Sequence, residues 1–179
     1  MISLIQSLTA RRWPWVALLL LGVALEGCGL YFQYGLRLDP CVNCVYERAF
    51  YLSFILAGLV GFLSPSFVVT RVLAILIFMA GSIGGAMVAF DHVAETYQQG
   101  FGATCTLKAS FPAFLKLDEL LPWMFKPTAA CGPLDWSLLG LSMAEWVLMS
   151  FCVGTLVSVV FFISEFFKRK RRTYRDYYR

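Results

Sequence analysis

The chain is short of charge. Asp, Glu, Lys and Arg supply only 15% of its 179 residues against 59% hydrophobic ones, which excludes an ordinary soluble domain and points to the membrane class. It lacks internal repeats and low-complexity tracts, so one membrane domain over 1–179 is the natural organisation. Histidine is nearly absent, with His92 alone. A second closely spaced cysteine pair is also missing; zinc held by sulfur usually takes two such pairs, so no metal is expected.

What is present in abundance is apolar sequence in long runs. Four stretches, at about 14–34, 45–63, 72–90 and 146–163, each approach the ~20 residues that cross a bilayer's hydrocarbon core. An all-α, four-transmembrane-helix bundle follows. Four spans put both termini on one side, and the basic residues say which, because Lys and Arg are retained on the cytoplasmic face during insertion. Arg11 and Arg12 precede the first span, Arg71 follows the Ser64-Pro65-Ser66 turn between the second and third, and Lys168, Arg169, Lys170, Arg171, Arg172, Arg175 and Arg179 crowd the tail at 164–179. Both termini are therefore expected in the cytoplasm of a bacterial inner membrane, with loops at about 35–44 and 91–145 facing the periplasm. The net charge of +4 reads as topology, and nucleic-acid binding is not expected of a solvated positive-inside anchor. Leu25-Glu26-Gly27-Cys28 resembles a lipoprotein processing site. A carboxylate just before the small residue fits that poorly, and the apolar run continues past Cys28, so the first segment is taken as a retained helix.

The second outer loop carries one candidate element. Ser110 can cap a short helix with Phe111, Phe114, Leu115, Leu121 and Met124 largely on one side, ended by Pro122. It would either lie in the headgroup region with Trp123 and Phe125 or form a small cap packed on itself.

Topology sorts the six cysteines. Cys28 and Cys152 fall inside spans and read as small hydrophobes. Cys41, Cys44, Cys105 and Cys131 fall on the oxidising side, which suggests two pairs, although four cysteines allow three connectivities. Cys41-Val42-Asn43-Cys44 follows Pro40 and starts the second span. The two-residue gap lets both sulfurs share one turn at a helix start, where backbone amides and the macrodipole favour a thiolate. Arg48 stands four residues beyond Cys44, on the same face and one turn deeper. A guanidinium there can stabilise a Cys44 thiolate and polarise an oxygen of a bound electron acceptor; the plainer role is pairing with Glu47 or Glu26.

These residues together resemble the DsbB family of membrane disulfide-forming oxidases. The likeness covers nearly the whole chain: Pro40-Cys41-Val42-Asn43-Cys44 leading into Tyr46-Glu47-Arg48, Cys105 and Cys131 in the second outer loop, Glu26 in the first span, Asp91-His92 after the third, and the basic tail. Asn43 departs from the apolar residue expected there, which bears on redox poise. The resemblance implies disulfides Cys41–Cys44 and Cys105–Cys131 and an ordered electron path. A reduced DsbA-like periplasmic partner attacks the loop disulfide, with Cys105 carrying the mixed disulfide. The electrons then pass to Cys41 and Cys44, and Cys44 hands them to ubiquinone or menaquinone beside Arg48. The resemblance puts His92 near the quinone ring as a hydrogen-bond donor; its plain alternative is an interfacial histidine touching headgroups and water. Two other functions compete. One is a redox protein resembling the vitamin K epoxide reductase group, which as a reductant importer would want thiols accessible from inside. The other is a scaffold with static disulfides, for which a charge at the depth of Arg48 has no use.

Overall fold

A computed structural model describes residues 2–97, 111, 117–129 and 136–166. Cys105, Cys131, Ser110, Phe114, Leu115 and the basic tail from Lys168 onward lie outside the described residues. Four helices are long and apolar enough to cross a membrane, at Trp13–Gly35, Val42–Leu63, Val68–Tyr97 and Met143–Glu165. The chain is a helical, multi-pass membrane protein.

Before the first of these comes a short helix that hydropathy does not reveal, α1 (Ile2–Thr9). It is held by its polar residues: Gln6 Nε2 donates to the Ser164 carbonyl at 2.6 Å, and Trp15 Nε1 donates to the Thr9 carbonyl at 2.9 Å. The first span is α2 (Trp13–Leu30), opened by Pro14 in its first turn, where a missing N–H costs nothing. It continues through a π-helical turn, Tyr31–Gly35. The second span is α3 (Val42–Leu63), and the Ser64-Pro65 step that follows stops it.

The third span, α4 (Val68–Tyr97), differs most from expectation. Asp91, His92 and Glu95 belong to this helix rather than to a loop starting at 91. Apolar sequence ends at Phe90, but no proline or glycine follows before Gly100. His92 and Glu95 also find partners on α3, in Glu47 and Asn43. Thirty residues at ~1.5 Å each give about 45 Å, against a hydrocarbon core of ~30 Å, so the last turns stand clear of the oil.

Of the segment expected as an amphipathic helix, the described residues form two four-residue helices, α5 (Leu117–Leu120) and α6 (Pro122–Phe125). Pro122 follows the end of α5 at Leu120, as expected, and also opens α6, since proline suits a first helical turn. The segment rests on the bundle: Leu117, Met124 and Phe125 bury with Val45 of α3, and Phe111 packs against them. A tight hairpin, β1 (Ser137–Leu138) with β2 (Leu141–Ser142), turns through Leu139 and Gly140 at φ of 54° and 81°. It leads into the last span, α7 (Met143–Phe166). Ser142 and Glu145 form a capping box there, with Ser142 N–H donating to Glu145 Oε2 at 2.6 Å.

In the bundle α3 packs on α2 and α4, and α4 packs on α7. The centre is aromatic: Phe54, Phe78 and Phe151 interlock edge to face, and Tyr51 stacks on Phe151 with centroids 4.5 Å apart. Leu20, Leu56, Leu73, Met87 and Leu156 are exposed, as lipid-facing side chains are. Between α2 and α7 a groove of about 590 Å³ runs along the bundle, lined by Leu18, Leu21, Met149, Val153 and Val157 among others. At the end of the bundle away from the cysteine motif, Arg71 pairs with Glu165 at 2.9 Å and also reaches the Pro65 carbonyl. The arginine that reads as a topology marker is thus also a buried tie between α4 and α7.

Candidate functional site

The Cys-x-x-Cys motif straddles the start of α3. Cys41, extended after Pro40, is the N-cap: its sulfur accepts the Cys44 N–H at 3.3 Å, and its carbonyl starts the helix by accepting from Val45 N–H at 3.2 Å. That geometry turns both side chains to one side, and their sulfurs lie 2.9 Å apart as two thiols rather than a closed bridge. Cys41 and Cys44 are both buried.

One turn further along α3, Glu47 and Arg48 diverge. Glu47 faces α4, where His92 Nδ1 donates to its Oε1 at 2.8 Å. A carboxylate on Nδ1 leaves Nε2 as the bare nitrogen, and Nε2 sits 3.7 Å from Cys41 Sγ. Asn43, the residue that departs from the family pattern, donates to Glu95 at 2.8 Å. The extended end of α4 is therefore bound to the motif at two points.

Arg48 faces α2 and is 6% exposed. Nη1 donates to Gln33 Oε1 at 2.5 Å and to the Met124 carbonyl at 3.1 Å, and Nη2 donates to the Gly29 carbonyl at 2.5 Å. Its partners are carbonyl oxygens rather than a carboxylate. Glu26, the other acid in reach, is 5% exposed with neither carboxylate oxygen hydrogen-bonded.

Cys44 and Arg48 line one cavity of about 250 Å³. Leu25, Cys28, Gly29 and Phe32 wall it on the α2 side; Met143, Trp146, Val147 and Ser150 wall it on the α7 side, with Trp136 over them. It meets the long groove at Leu25, Trp146 and Ser150, which belong to both. His92 is not among the lining residues and stands instead against Cys41.

The loop is fastened beside this site. Thr128 and Ala129 N–H groups donate to the Pro40 carbonyl at 3.0 and 3.3 Å, and Tyr34 donates to the Trp123 carbonyl at 2.5 Å. The chain that continues to Cys131 is therefore tied next to Cys41. Of the sequence-derived residues the fold brings Cys41, Cys44, Arg48 and His92 together; Cys105 and Cys131 fall outside the described residues. Sequence reasoning passed over Glu47 as the partner of His92, and its signal was the spacing, three residues after Cys44 on the same face.

Adjacent thiols at a helix start, beside an apolar cavity with one guanidinium, define a membrane thiol-redox protein. The sequence agrees. A family profile described as "Disulfide bond formation protein DsbB" matches residues 11–161. Disulfide bond formation protein B of Psychromonas ingrahamii is 36% identical over 97% of this chain and 94% of its own length. The protein of that name from Actinobacillus pleuropneumoniae is 36% identical over the full length of both, and that of Histophilus somni is 35% identical over 96% of this chain and 98% of its own. The chain belongs to the DsbB family of membrane disulfide bond formation proteins, which makes it a redox protein of the oxidoreductase class.

Proposed function

We propose that the protein reoxidises a DsbA-like periplasmic thiol oxidase and delivers the electrons to ubiquinone or menaquinone in the bacterial inner membrane, with both termini cytoplasmic. The observation that carries this reading is the shared cavity: one redox sulfur and one guanidinium line a largely apolar space that has Leu25, Trp146 and Ser150 in common with the groove between α2 and α7. Those surroundings suit a lipid-dissolved ring with a long apolar tail and polar oxygens. A quinone bound there accepts two electrons and two protons.

The protein's own groups do the rest. The Cys105–Cys131 disulfide takes the attack of the partner's thiolate, with Cys105 in the mixed disulfide, and the partner leaves oxidised. The loop dithiol is reoxidised by exchange with Cys41–Cys44, each step a thiolate displacing a thiolate from a sulfur in line. Tying the segment before Cys131 to Pro40 supports that exchange by shortening the search. Cys44 presents the reduced sulfur to the cavity, and Arg48, with two N–H groups beyond the three already committed, orients an acceptor oxygen. His92 and Glu47 hold a bare imidazole nitrogen against Cys41, a position from which it can take the thiol proton.

The test is thiol trapping in native membranes with a mass-tagged maleimide. The outer four cysteines should be oxidised with quinone present and reduced when a thioredoxin-like donor is supplied to quinone-depleted membranes. Bonds that stay closed throughout would make the protein a scaffold with static bridges.

A further inference from the structure

Cys41 Sγ, Cys44 Sγ and His92 Nε2 lie within 4.8 Å of one another, all three residues buried. We propose that in the reduced chain they bind one thiophilic cation, Zn²⁺ foremost, in a site that the disulfide abolishes. The sequence holds no second closely spaced sulfur pair, and the third ligand arrives instead from α4, through a helix register that the sequence does not display.

Three features make this a built site rather than a chance cluster. The donor set, two thiolates and an imidazole, is the one that zinc and other soft d¹⁰ ions prefer. His92 already has the second contact typical of a metal-bound histidine: its Nδ1–H is held by Glu47 at 2.8 Å, which aims Nε2 at the sulfurs. Tetrahedral zinc, with Zn–S about 2.3 Å and Zn–N about 2.0 Å, needs a sulfur–nitrogen separation of about 3.6 Å; Cys41 Sγ to His92 Nε2 is 3.7 Å. The sulfurs, now 2.9 Å apart, must open to about 3.8 Å, a small side-chain rotation at a helix start.

Charge favours the same outcome. Two thiols that bind Zn²⁺ release two protons, and the centre of two thiolates, one neutral imidazole and Zn²⁺ carries no net charge, which suits a site at the membrane boundary. Glu47 and Arg48 beside it on α3 are of opposite sign. Three protein ligands leave the fourth position to water. No electron moves in this binding. While the ion is held, however, neither sulfur can form the bridge, so thiophilic cations would stall turnover at the dithiol stage.

The experiment is a Co²⁺ and Zn²⁺ titration of the full-length chain in detergent, carrying Cys105→Ser and Cys131→Ser so that the loop thiols supply no ligand. The reduced protein should take up one ion per chain with the intense visible absorption of tetrahedral thiolate-bound Co²⁺, and the oxidised protein none. His92→Ala should weaken Zn²⁺ binding at least about tenfold, as should, to a lesser degree, Glu47→Gln. An octahedral Co²⁺ spectrum, equal uptake by the oxidised chain, or unchanged affinity in His92→Ala would each overturn the proposal. The first two readings need no change at a ligand residue, so they stand even where the histidine variant fails to fold. Quinone is absent throughout, so the result is separate from that of the trapping experiment.

Discussion

Replacing Arg48 separates its structural contacts from the acceptor role proposed for it. Arg48→Ala removes three hydrogen bonds and strands the Gly29 and Met124 carbonyls and the Gln33 side chain. Of these acceptors the Met124 carbonyl contact is buried and the other two are partly exposed; a buried acceptor left without a partner costs on the order of 1–3 kcal/mol, so the variant should lose about that much, seen as a lower melting temperature in detergent. The loop should loosen too, because the Met124 contact joins α6 to α3. The catalytic effect is separable. A charged hydrogen bond to an acceptor oxygen is worth about 1.5–3 kcal/mol, and at ~1.4 kcal/mol per decade its loss should raise the quinone KM by roughly tenfold to a hundredfold. Arg48→Lys keeps the charge but not the planar fork, so it should fall between the two. The assay is the loss of quinone absorbance at several concentrations of a short-chain analogue, with a reduced thioredoxin-like protein as donor. The melting curve shows that each variant is folded. A folded Arg48→Ala protein with unchanged quinone dependence would refute the acceptor role and leave Arg48 a structural tie.

Cys44→Ser should abolish quinone reduction while the loop disulfide still oxidises one equivalent of donor; multiple turnovers, counted by trapping the donor thiols, would contradict the assignment. The Arg71–Glu165 pair is buried at 2.9 Å, so Arg71→Met alone should cost about 3–5 kcal/mol by leaving the carboxylate uncompensated. Adding Glu165→Met should restore most of that loss in a melting experiment, and a double variant no better than the single would show that the pair is not coupled. Gly85 lies against the Phe151 ring with no room for a β-carbon. Gly85→Val should therefore cost about 1–3 kcal/mol by forcing α4 from α7, and an unaltered melting temperature would mean that the two helices are not in close contact there.

Parts of this architecture were open to reading in the sequence because one physical signal governed each. The four spans follow from apolar length alone, and Cys41 at the head of α3 follows from Pro40 and the two-residue spacing. Arg48 beneath Cys44 follows from the helical repeat. What escaped depended on how two segments lie against each other. Hydropathy marks where oil ends, not where a helix ends, so α4 was cut short at Phe90 although Glu47 and Asn43 hold its continuation. The eight residues of α1 are too few to span anything, and their polar contacts to α7 have no local signature. The observed partners of Arg48 are hidden for the same reason. An acid on a facing helix is visible in a sequence, whereas the backbone carbonyls of Gly29 and Met124 are exposed only by the local geometry of α2 and α6.

The distribution of polar groups along the bundle bears on which redox reading is the better one. Glu26, Glu47, Arg48 and His92 all lie toward the end that carries the thiols, and Arg71, Glu165, Gln6 and Thr9 lie toward the other. Between them stands the aromatic layer of Phe54, Phe78 and Phe151, with Tyr51 turned upward to share a 2.6 Å hydrogen bond with Ser150. A reductant importer resembling the vitamin K epoxide reductase group needs thiols, or a proton path, reaching through that layer to the cytoplasmic side. Packed rings offer neither, because a proton moves along hydrogen-bonded groups and an exchanging thiolate must touch its disulfide. Cys28, the other cysteine at the cavity, sits on α2 at the same level. Cys152 is exposed in a separate depression between α4 and α7. Among the described residues the thiols thus adjoin a cavity at their own level while the aromatic layer separates them from the other end, which supports the proposed transfer to a membrane acceptor over import of reductant.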